Sequence, residues 1–269
     1  MNPEKIFLIN GAPRSGTSFL GQIIDSSKEV RYKYQPFFSE SFRHKIGEYS
    51  SSEDIQKVIH EIYHFEDDFL DRKFQKEQGI YPVFEKENPR CLAIKHVRYH
   101  FLLPLILKDF TEIKLVAIVR NPLSQLYSWR NAPKEFLEGW KFNEEWEFAP
   151  KYNRFRPHEY YGYNRWKEIT ALFHYLKELY PDRVKIIQYE SLVKNIDQEV
   201  REIFKFLDLK LESQTLSFIE ASQSKFDADP YSVFKGGKQL DEWKAGMEEE
   251  IVHKVVQDLK NTSFEKYLI

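Results

Sequence analysis

The chain has 269 residues, which suits one generous α/β domain or two small ones. Its 40 basic and 42 acidic residues leave a net charge of −2, so a protein that wraps nucleic acid over a broad basic surface is excluded. The only cysteine, Cys91, excludes an internal disulfide framework and cysteine-rich zinc sites, and we expect it buried in a strand.

The chain begins "MNPEK" and enters an apolar run at once, without the basic start and apolar stretch of a leader. No run of about 18 apolar residues occurs that could span a membrane. We therefore expect a soluble, cytoplasmic protein with no membrane span and no nucleic-acid partner. The sequence carries no signal for an oligomeric state.

Apolar runs and helical periodicities alternate along the chain. "IFLIN" predicts a buried strand over 6–10, and Phe19, Leu20, Ile23 and Ile24 then mark one face of a helix over 16–25. In chain order, the remaining predicted elements are a helix within 50–65, a strand over 91–97, a helical segment over 98–110, a strand over 113–119, a helix that begins at Pro122, a helix over 160–179, a strand over 184–189, and helices over 198–207 and 241–259.

Two stretches lack this periodicity. Residues 131–158 are rich in aromatic and charged side chains, and a loop of that length predicts a lid or a substrate wall. Residues 220–240 form the second stretch, which we interpret as a loop that closes over a ligand. The alternation of strands and helices along the chain favours a single domain over residues 1–269.

Strands that alternate with helices predict an α/β fold, a three-layer sandwich with a central parallel sheet. Ligands of such sheets bind beyond the carboxyl ends of the strands.

The first strand runs into "GAPRSGTS", which has the glycine spacing of a phosphate-binding P-loop. Thr17 stands where nucleotide-hydrolysing P-loops carry lysine, and Arg14 lies three residues earlier. Backbone N–H groups at the helix N-terminus, joined by the hydroxyls of Ser15, Thr17 and Ser18, form a site for a phosphate-like anion. Arg14 supplies a fixed charge and a planar fork of donors.

The strand over 113–119 ends in Arg120, where a magnesium-dependent nucleotide site needs an acid. An arginine cannot ligate a cation, but it can bind a second phosphate. Ser128 lies two helical turns later, on the same side of the following helix. The pair predicts a ligand with two separate phosphate groups and no metal.

Four motifs resemble those of the sulfotransferases that use 3′-phosphoadenosine 5′-phosphosulfate (PAPS), with spelling nearest to the carbohydrate-type and bacterial members. "PRSGTSFL" resembles their 5′-phosphosulfate loop, and "VRNPLSQLYS" is similar to their 3′-phosphate motif. "IIQYESL" resembles a strand-end element near the adenine, and "FKGGKQLDEWK" resembles a C-terminal loop that closes over the 3′-phosphate. These motifs span residues 11–244, nearly the whole chain.

The resemblance implies transfer of a sulfuryl group from PAPS to a hydroxyl or amine. It places Arg14 at the sulfuryl bridge, and Lys95, at a strand end, beside the charge that develops there. Phe234 stands where cytosolic members often carry arginine. Lys238 is our candidate for the positive charge that this arginine would supply. The implied cofactor-binding residues are Arg14, Ser15, Gly16, Thr17 and Ser18 for the phosphosulfate, Arg120 and Ser128 for the 3′-phosphate, Tyr189 for the nucleoside, and Lys235 with Gly236 for the phosphate clamp.

The sequence leaves several candidates for the group that removes the acceptor's proton. Carbohydrate-type relatives carry a glutamate where this chain has Gln35 in "YKYQPFF", and a glutamine cannot accept that proton at neutral pH. His96 follows Lys95 directly, so on a regular strand it points to the opposite face. We expect Arg14, Lys95, Gln35, His96 and Ser128 at the centre of catalysis, with His100 and Glu40 as further candidate bases.

The sequence does not identify the acceptor. The Lys-x-x-Arg spelling of Lys95 and Arg98 and the "YQP" spelling lean toward a carbohydrate or lipid, and the aromatic segment 151–166 is a candidate acceptor wall. Two alternatives compete with a sulfotransferase. They are a P-loop kinase of small metabolites and a nucleotide-binding module that has lost its chemistry.

Overall fold

The computed structural model describes residues 2–154, 156–234, 236 and 240–268. Its centre is one parallel sheet of five strands in the order β2-β3-β1-β4-β5. The strands are β1 (Lys5–Gly11), β2 (Val30–Tyr34), β3 (Cys91–His96), β4 (Ile113–Val119) and β5 (Val184–Gln188).

Helices follow or separate the strands, as the alternation in the sequence predicts. The α-helices are α1 (Thr17–Asp25), α2 (Ser52–His64), α3 (Lys73–Glu77), α4 (Leu103–Asp109), α5 (Pro122–Arg130), α6 (Phe142–Glu145), α7 (Pro150–Asn153), α8 (Tyr163–Leu179), α9 (Tyr189–Lys194), α10 (Ile196–Leu207), α11 (Ser213–Ser224), α12 (Trp243–Gly246) and α13 (Glu249–Leu259). Short 3₁₀ turns cover Pro36–Phe38, His100–Leu102 and Glu265–Leu268. None of the helices in the described ranges is long and apolar enough to cross a bilayer.

Two hydrophobic cores lie on opposite faces of the sheet. On β1, Leu8 packs into one core with residues of α2, α4, α5 and α8, whereas Phe7 and Ile9 pack into the other with residues of α1 and α10. This alternation is what a strand covered on both sides requires. The prediction of a three-layer α/β sandwich is confirmed.

The short helices α3, α6, α7 and α9 were not predicted, and three larger differences separate the predicted elements from the structure. The sequence prediction missed β2, because "VRYKY" interleaves charged residues with aromatic ones and looks like a loop. It also missed α11, which occupies the start of the 220–240 stretch. The helix expected over 241–259 is interrupted, since α12 ends at Gly246 and α13 begins at Glu249.

The register of the sheet brings the strand ends together. Lys95 of β3 pairs with Ile9 on one side and with Tyr34, the last residue of β2, on the other. Gly11 of β1 pairs with Ile118 of β4. All five parallel strands therefore end along one edge of the sheet, where residues from distant parts of the sequence meet.

Candidate active site

A cavity of about 710 Å³ opens at this edge, within the usual range for small-molecule sites. Every strand contributes to its wall at or just beyond its last residue. The contributions are Arg14 and Gly16 to Ser18 after β1, Gln35 after β2, Lys95 of β3 with Arg98 beyond it, Arg120 after β4 and Tyr189 after β5. The motifs singled out in the sequence thus converge on one space.

The turn between β1 and α1 has the backbone of an anion cradle. Arg14 and Gly16 both have positive φ angles, of 69° and 90°, and Gly16 is the residue just before α1. Ser15 is fully buried, and among the described residues its hydroxyl finds no hydrogen-bond partner. Thr17 and Ser18 line the cavity. Ser15 itself is not part of the cavity wall, so the N-terminal amides of α1 and the hydroxyls of Thr17 and Ser18 are the groups that fit an anionic ligand.

Glycine is required at position 16 for a second reason. A Cβ atom there would lie 2.4 Å from Cδ2 of Tyr189, so the ring of Tyr189 rests directly on the turn. The guanidinium of Arg120 lies over the same ring, 4.7 Å from its centre. Tyr189, the first residue of α9 just after β5, therefore joins the two predicted anion sites, and the family resemblance placed it near the nucleoside.

Arg120, just after β4, and Ser128, on α5, both line the cavity. Arg120 is 7% exposed, and its Nη1 donates to the carbonyl of Arg14 at 3.0 Å. Its Nε is buried and, in the described ranges, unpaired. A buried arginine that keeps a free donor and has no carboxylate partner fits a phosphate at this place.

Arg14 extends across the cavity to three different elements. Its Nε donates to Ser128 Oγ at 3.3 Å, its Nη1 lies 3.4 Å from Glu135 Oε1, and its Nη2 donates to the carbonyl of Pro230 at 2.8 Å. The ring of Tyr231 stacks on the guanidinium at 5.1 Å. Arg14 thus links the cradle to α5 and to both irregular stretches of the chain.

The 220–240 stretch lines the cavity through residues 229–233 and Gly236. A Cβ at Gly236 would lie 2.3 Å from the carbonyl oxygen of Gln223, so the backbone packs closely there. Tyr231 accepts the backbone N–H of Lys134 on its hydroxyl at 2.9 Å, which ties this stretch to residues 131–158. The predicted phosphate-clamp residue Lys235, together with Lys238, lies outside the described residues.

Lys95 lines the cavity among other cationic side chains. Its side chain is buried, its ammonium lies 4.4 Å from the centre of the Tyr34 ring, and no hydrogen bond or ion pair with another described residue holds it. Burial first, and then the positive charges of Arg72 and Arg98, hold the pKa of Lys95 well below its usual value. A bound anion would relieve this cost.

Gln35 lines the cavity, but it is engaged by an arginine. Arg98 Nη1 donates to Gln35 Oε1 at 3.0 Å, while Arg98 Nε forms a buried ion pair with Glu159 at 2.9 Å. A glutamate at position 35 would add a second carboxylate to this arginine. The amide instead accepts one hydrogen bond and leaves the Arg98–Glu159 pair intact.

The three other candidate bases lie away from the cavity. His96 is on the opposite face of β3 from Lys95, stacked 4.5 Å from Phe37, and burial holds the pKa of its ring well below the usual value. His100 is fully buried, and burial lowers its pKa to about 3. Glu40 is exposed outside the cavity wall. The structure therefore brings neither His96 nor these two alternatives to the site.

The sequence prediction missed one carboxylate. Glu135, in the predicted lid over 131–158, lines the cavity beside Arg14 and accepts a hydrogen bond from the hydroxyl of Tyr161 at 3.1 Å. Nothing in its local spelling, "APKEFLEG", marks it as functional. Only the contact with Arg14, 121 positions away, reveals it.

Positive charge predominates in the cavity wall. Its described residues include six cationic side chains and two carboxylates, Glu135 and Asp229. No group of three or more His, Cys, Asp or Glu side chains in the described ranges is placed to hold a metal ion. The six cationic residues are Arg14, Arg72, Lys95, Arg98, Arg120 and Lys134.

Comparison with known proteins gives a consistent picture. The model of the family described as "Sulfotransferase domain" matches residues 4–264. A Caenorhabditis briggsae protein provisionally named protein-tyrosine sulfotransferase is 21% identical over 268 residues, which cover 94% of this chain and 86% of that protein.

Solved structures share the fold at low sequence identity. Mouse sulfotransferase SULT7A1, complexed with PAP, superposes with a TM-score of 0.56 at 17% identity, covering 98% of this chain and 87% of that one. Retinol dehydratase in complex with retinol and PAP gives 0.56 at 16% identity, with 98% and 83% of the two chains covered. The sulfotransferase domain of the Synechococcus PCC 7002 olefin synthase gives 0.53 at 15% identity, with 92% and 90% covered.

The contact between Gly16 and Tyr189 makes a prediction about stability. Gly16→Ala forces a Cβ into the Tyr189 ring and a non-glycine residue into positive φ, so we expect the free energy of unfolding to fall by about 1–3 kcal/mol. Gly47→Ala is the matched control, because a Cβ there meets nothing within 4 Å. Urea unfolding followed by circular dichroism measures both. A Gly16→Ala protein as stable as the Gly47→Ala protein would contradict the close packing.

Proposed function

The chain belongs to the sulfotransferase domain family, and from that premise we propose that it transfers a sulfuryl group from PAPS to a hydroxyl of a small-molecule acceptor. The observation that carries the proposal is the convergence of two separate anion sites, the turn at 11–18 and the Arg120–Ser128 pair, on one cavity. A ligand with phosphate groups at both ends of a nucleoside matches that arrangement.

The donor residues divide between the two ends of PAPS. The amides of the turn at Gly16 to Ser18, with the hydroxyls of Thr17 and Ser18, would hold the 5′-phosphosulfate. Arg120 and Ser128 would hold the 3′-phosphate. Tyr189, packed between Gly16 and Arg120, would support the nucleoside that joins them.

Transfer of a sulfuryl group is an in-line displacement in which the equatorial and leaving oxygens become more negative. Arg14, with donors already oriented across the cavity, and Lys95, which forms no ion pair with a described residue, are placed to stabilise that charge. Their burial matters, because an ion pair in a low-dielectric space is stronger than one in water.

The acceptor end of the cavity is aromatic. Arg98 and Gln35 form its polar border, and Arg72 stacks on the ring of Tyr34 at 4.1 Å. We infer that the acceptor has a flat apolar body with a hydroxyl at one end, which favours lipid-like or aromatic molecules over polar sugars. The rings that line this end are Tyr34, Phe38, Phe69, Phe74, Tyr81, Tyr152 and Tyr161.

Two features weigh against a P-loop kinase. Thr17 occupies the position of the kinase lysine, and Arg120 occupies the strand end where a magnesium ligand is needed. A nucleotide-binding module without chemistry explains neither Lys95 nor the aromatic end of the cavity. Such a module has no need to keep a buried, unpaired lysine.

Binding of adenosine 3′,5′-bisphosphate (PAP) tests the donor site directly. We expect wild-type protein to bind PAP more tightly than AMP in the presence of EDTA, because the 3′-phosphate gains charged hydrogen bonds from Arg120. Arg120→Met should lose about 1.5–3 kcal/mol of PAP binding, about 10- to 100-fold, while AMP affinity changes little.

Arg130→Met is the matched control, because Arg130, at the end of α5, bonds Glu248 and lies outside the cavity wall. Isothermal titration calorimetry measures the affinity of wild-type protein and of each variant for PAP and for AMP. Equal affinities of wild-type protein for PAP and AMP would contradict the proposed donor site.

Lys95 predicts that PAP binding takes up a proton. At about pH 8 to 9, below the ordinary lysine pKa of about 10.4, part of the Lys95 population is neutral in the free protein because its pKa is depressed. An anion nearby raises that pKa, so protons enter with the ligand, whose own phosphates, with a second pKa near about 6, stay ionised. Calorimetry in buffers of different ionisation enthalpy measures the uptake, which Lys95→Met should abolish. Uptake of the same size in Lys95→Met would assign it to another group.

A further inference from the structure

We propose that Glu135 is the general base that removes the proton from the acceptor hydroxyl. This proposal rests on the proposed sulfuryl transfer. It answers a question that the sequence left open, since Gln35 replaces the expected acid and His96, His100 and Glu40 lie away from the cavity.

Glu135 lies where the donor and acceptor ends of the cavity meet. On the donor side its Oε1 is 3.4 Å from Nη1 of Arg14, and on the acceptor side its Oε2 accepts the Tyr161 hydroxyl at 3.1 Å. The Tyr161 ring packs 3.8 Å from that of Tyr152, which itself contacts Arg98. A contact path thus runs from Arg14, at the cradle, to the polar border of the acceptor end, and Glu135 is the carboxylate on it.

The second carboxylate of the wall is held differently. Asp229 Oδ1 accepts the backbone N–H of Tyr231 at 2.7 Å and so folds the 220–240 stretch into a turn. Glu159 is 1% exposed, does not line the cavity and is committed to Arg98. Glu135 keeps 19% of its side chain exposed to the cavity, enough for an acceptor to reach it.

The protonation state of Tyr161 is consistent with Glu135 as the base. Burial, followed by the negative charge of Glu135, holds the pKa of Tyr161 well above its usual value. The Tyr161 hydroxyl therefore stays a donor and fixes one oxygen of Glu135. The other oxygen faces Arg14, which must turn toward an incoming anionic donor because that donor offers two or more charged oxygens.

Donor binding would in this way draw Arg14 from Glu135 and leave that carboxylate oxygen free for the acceptor. In the chemical step the acceptor's O–H proton passes to Glu135 while its oxygen forms a bond to sulfur. The bond from sulfur to the bridging oxygen breaks, and PAP leaves with the electron pair. The proton later returns from Glu135 to solvent.

The first test measures PAP affinity, which needs no acceptor. Glu135→Gln removes a negative charge from beside an anion site and releases Arg14, so we expect PAP to bind at least about threefold more tightly than to wild type. If Glu135 serves only to hold Arg14 in place, PAP binding by Glu135→Gln becomes weaker, and that result would overturn the proposal. Failure of wild-type protein to bind PAP would instead refute the proposed function.

The second test varies how much the acceptor needs a base. With PAPS as donor, 4-methylphenol has a pKa close to that of tyrosine, about 10, whereas 4-nitrophenol is largely ionised near neutral pH. General-base catalysis contributes about 10²- to 10⁴-fold, so Glu135→Gln should lower kcat/KM for 4-methylphenol by about 10²-fold or more. For 4-nitrophenol the loss should stay below about tenfold.

Glu138→Gln is the matched control, because Glu138 is exposed in the same loop, three residues away, and should leave both rates unchanged. Glu135→Asp should keep part of the activity toward 4-methylphenol. Equal losses for the two phenols in Glu135→Gln would mean that Glu135 only positions its neighbours, and the proposal would fall.

Discussion

Crowding of positive charge at the carboxyl edge of the sheet governs the rest of the site. The ends of β1, β3 and β4 lead into Arg14, Lys95 and Arg120 around one cavity, and the described carboxylates of its wall number only two. Like charges so close together are costly in a buried space. The fold accepts that cost because the strands on either side are covered by two extensive apolar cores. An anionic donor is the natural counter-charge, and the cavity is organised to receive it.

Without a donor, the molecule balances this charge internally. Arg14 lies against Ser128, Glu135, the Pro230 carbonyl and the Tyr231 ring, so a single side chain contacts three other segments of the chain. Arg98 is balanced by Glu159, whereas Lys95 packs against the Tyr34 ring and forms no ion pair with a described residue. Arg98 is held by a buried ion pair and so has a structural role. Arg14 and Lys95 line the cavity without a buried pair of this kind, so an anionic ligand can bind to them.

Much of this was predictable from the sequence, because it depends on local signals. Buried strands of four or more apolar residues, the glycine spacing before α1, and the arginine before α5 with the serine within it all predict their own geometry. The sandwich fold and the family follow from them and are confirmed. The roles of the individual site residues stay predictions, though Arg14, Gln35, Lys95, Arg120, Ser128 and Tyr189 do line one cavity. His96 does not, because side chains on a strand alternate and Lys95 takes the inward position.

What the sequence could not show depends on contacts between distant segments. Glu135 is an ordinary loop glutamate until the fold sets it beside Arg14 and Tyr161. Strand β2 escaped notice because Lys33 is buried by a partner elsewhere, Asp71, rather than by its own apolar character. The need for glycine at position 16 was visible as a motif, but its cause, the Tyr189 ring, comes from the start of α9, 173 positions away.

The central claim is that one cavity holds both the sulfuryl donor and its acceptor. It is tested most directly by incubating the protein with PAPS and a panel of lipid-like and aromatic hydroxyl compounds in EDTA, and identifying the products by mass spectrometry. We expect a sulfated acceptor and PAP in equal amounts. If PAP forms without any sulfated acceptor, or if PAPS remains intact while the protein binds it, the cavity does not carry out sulfuryl transfer to these acceptors.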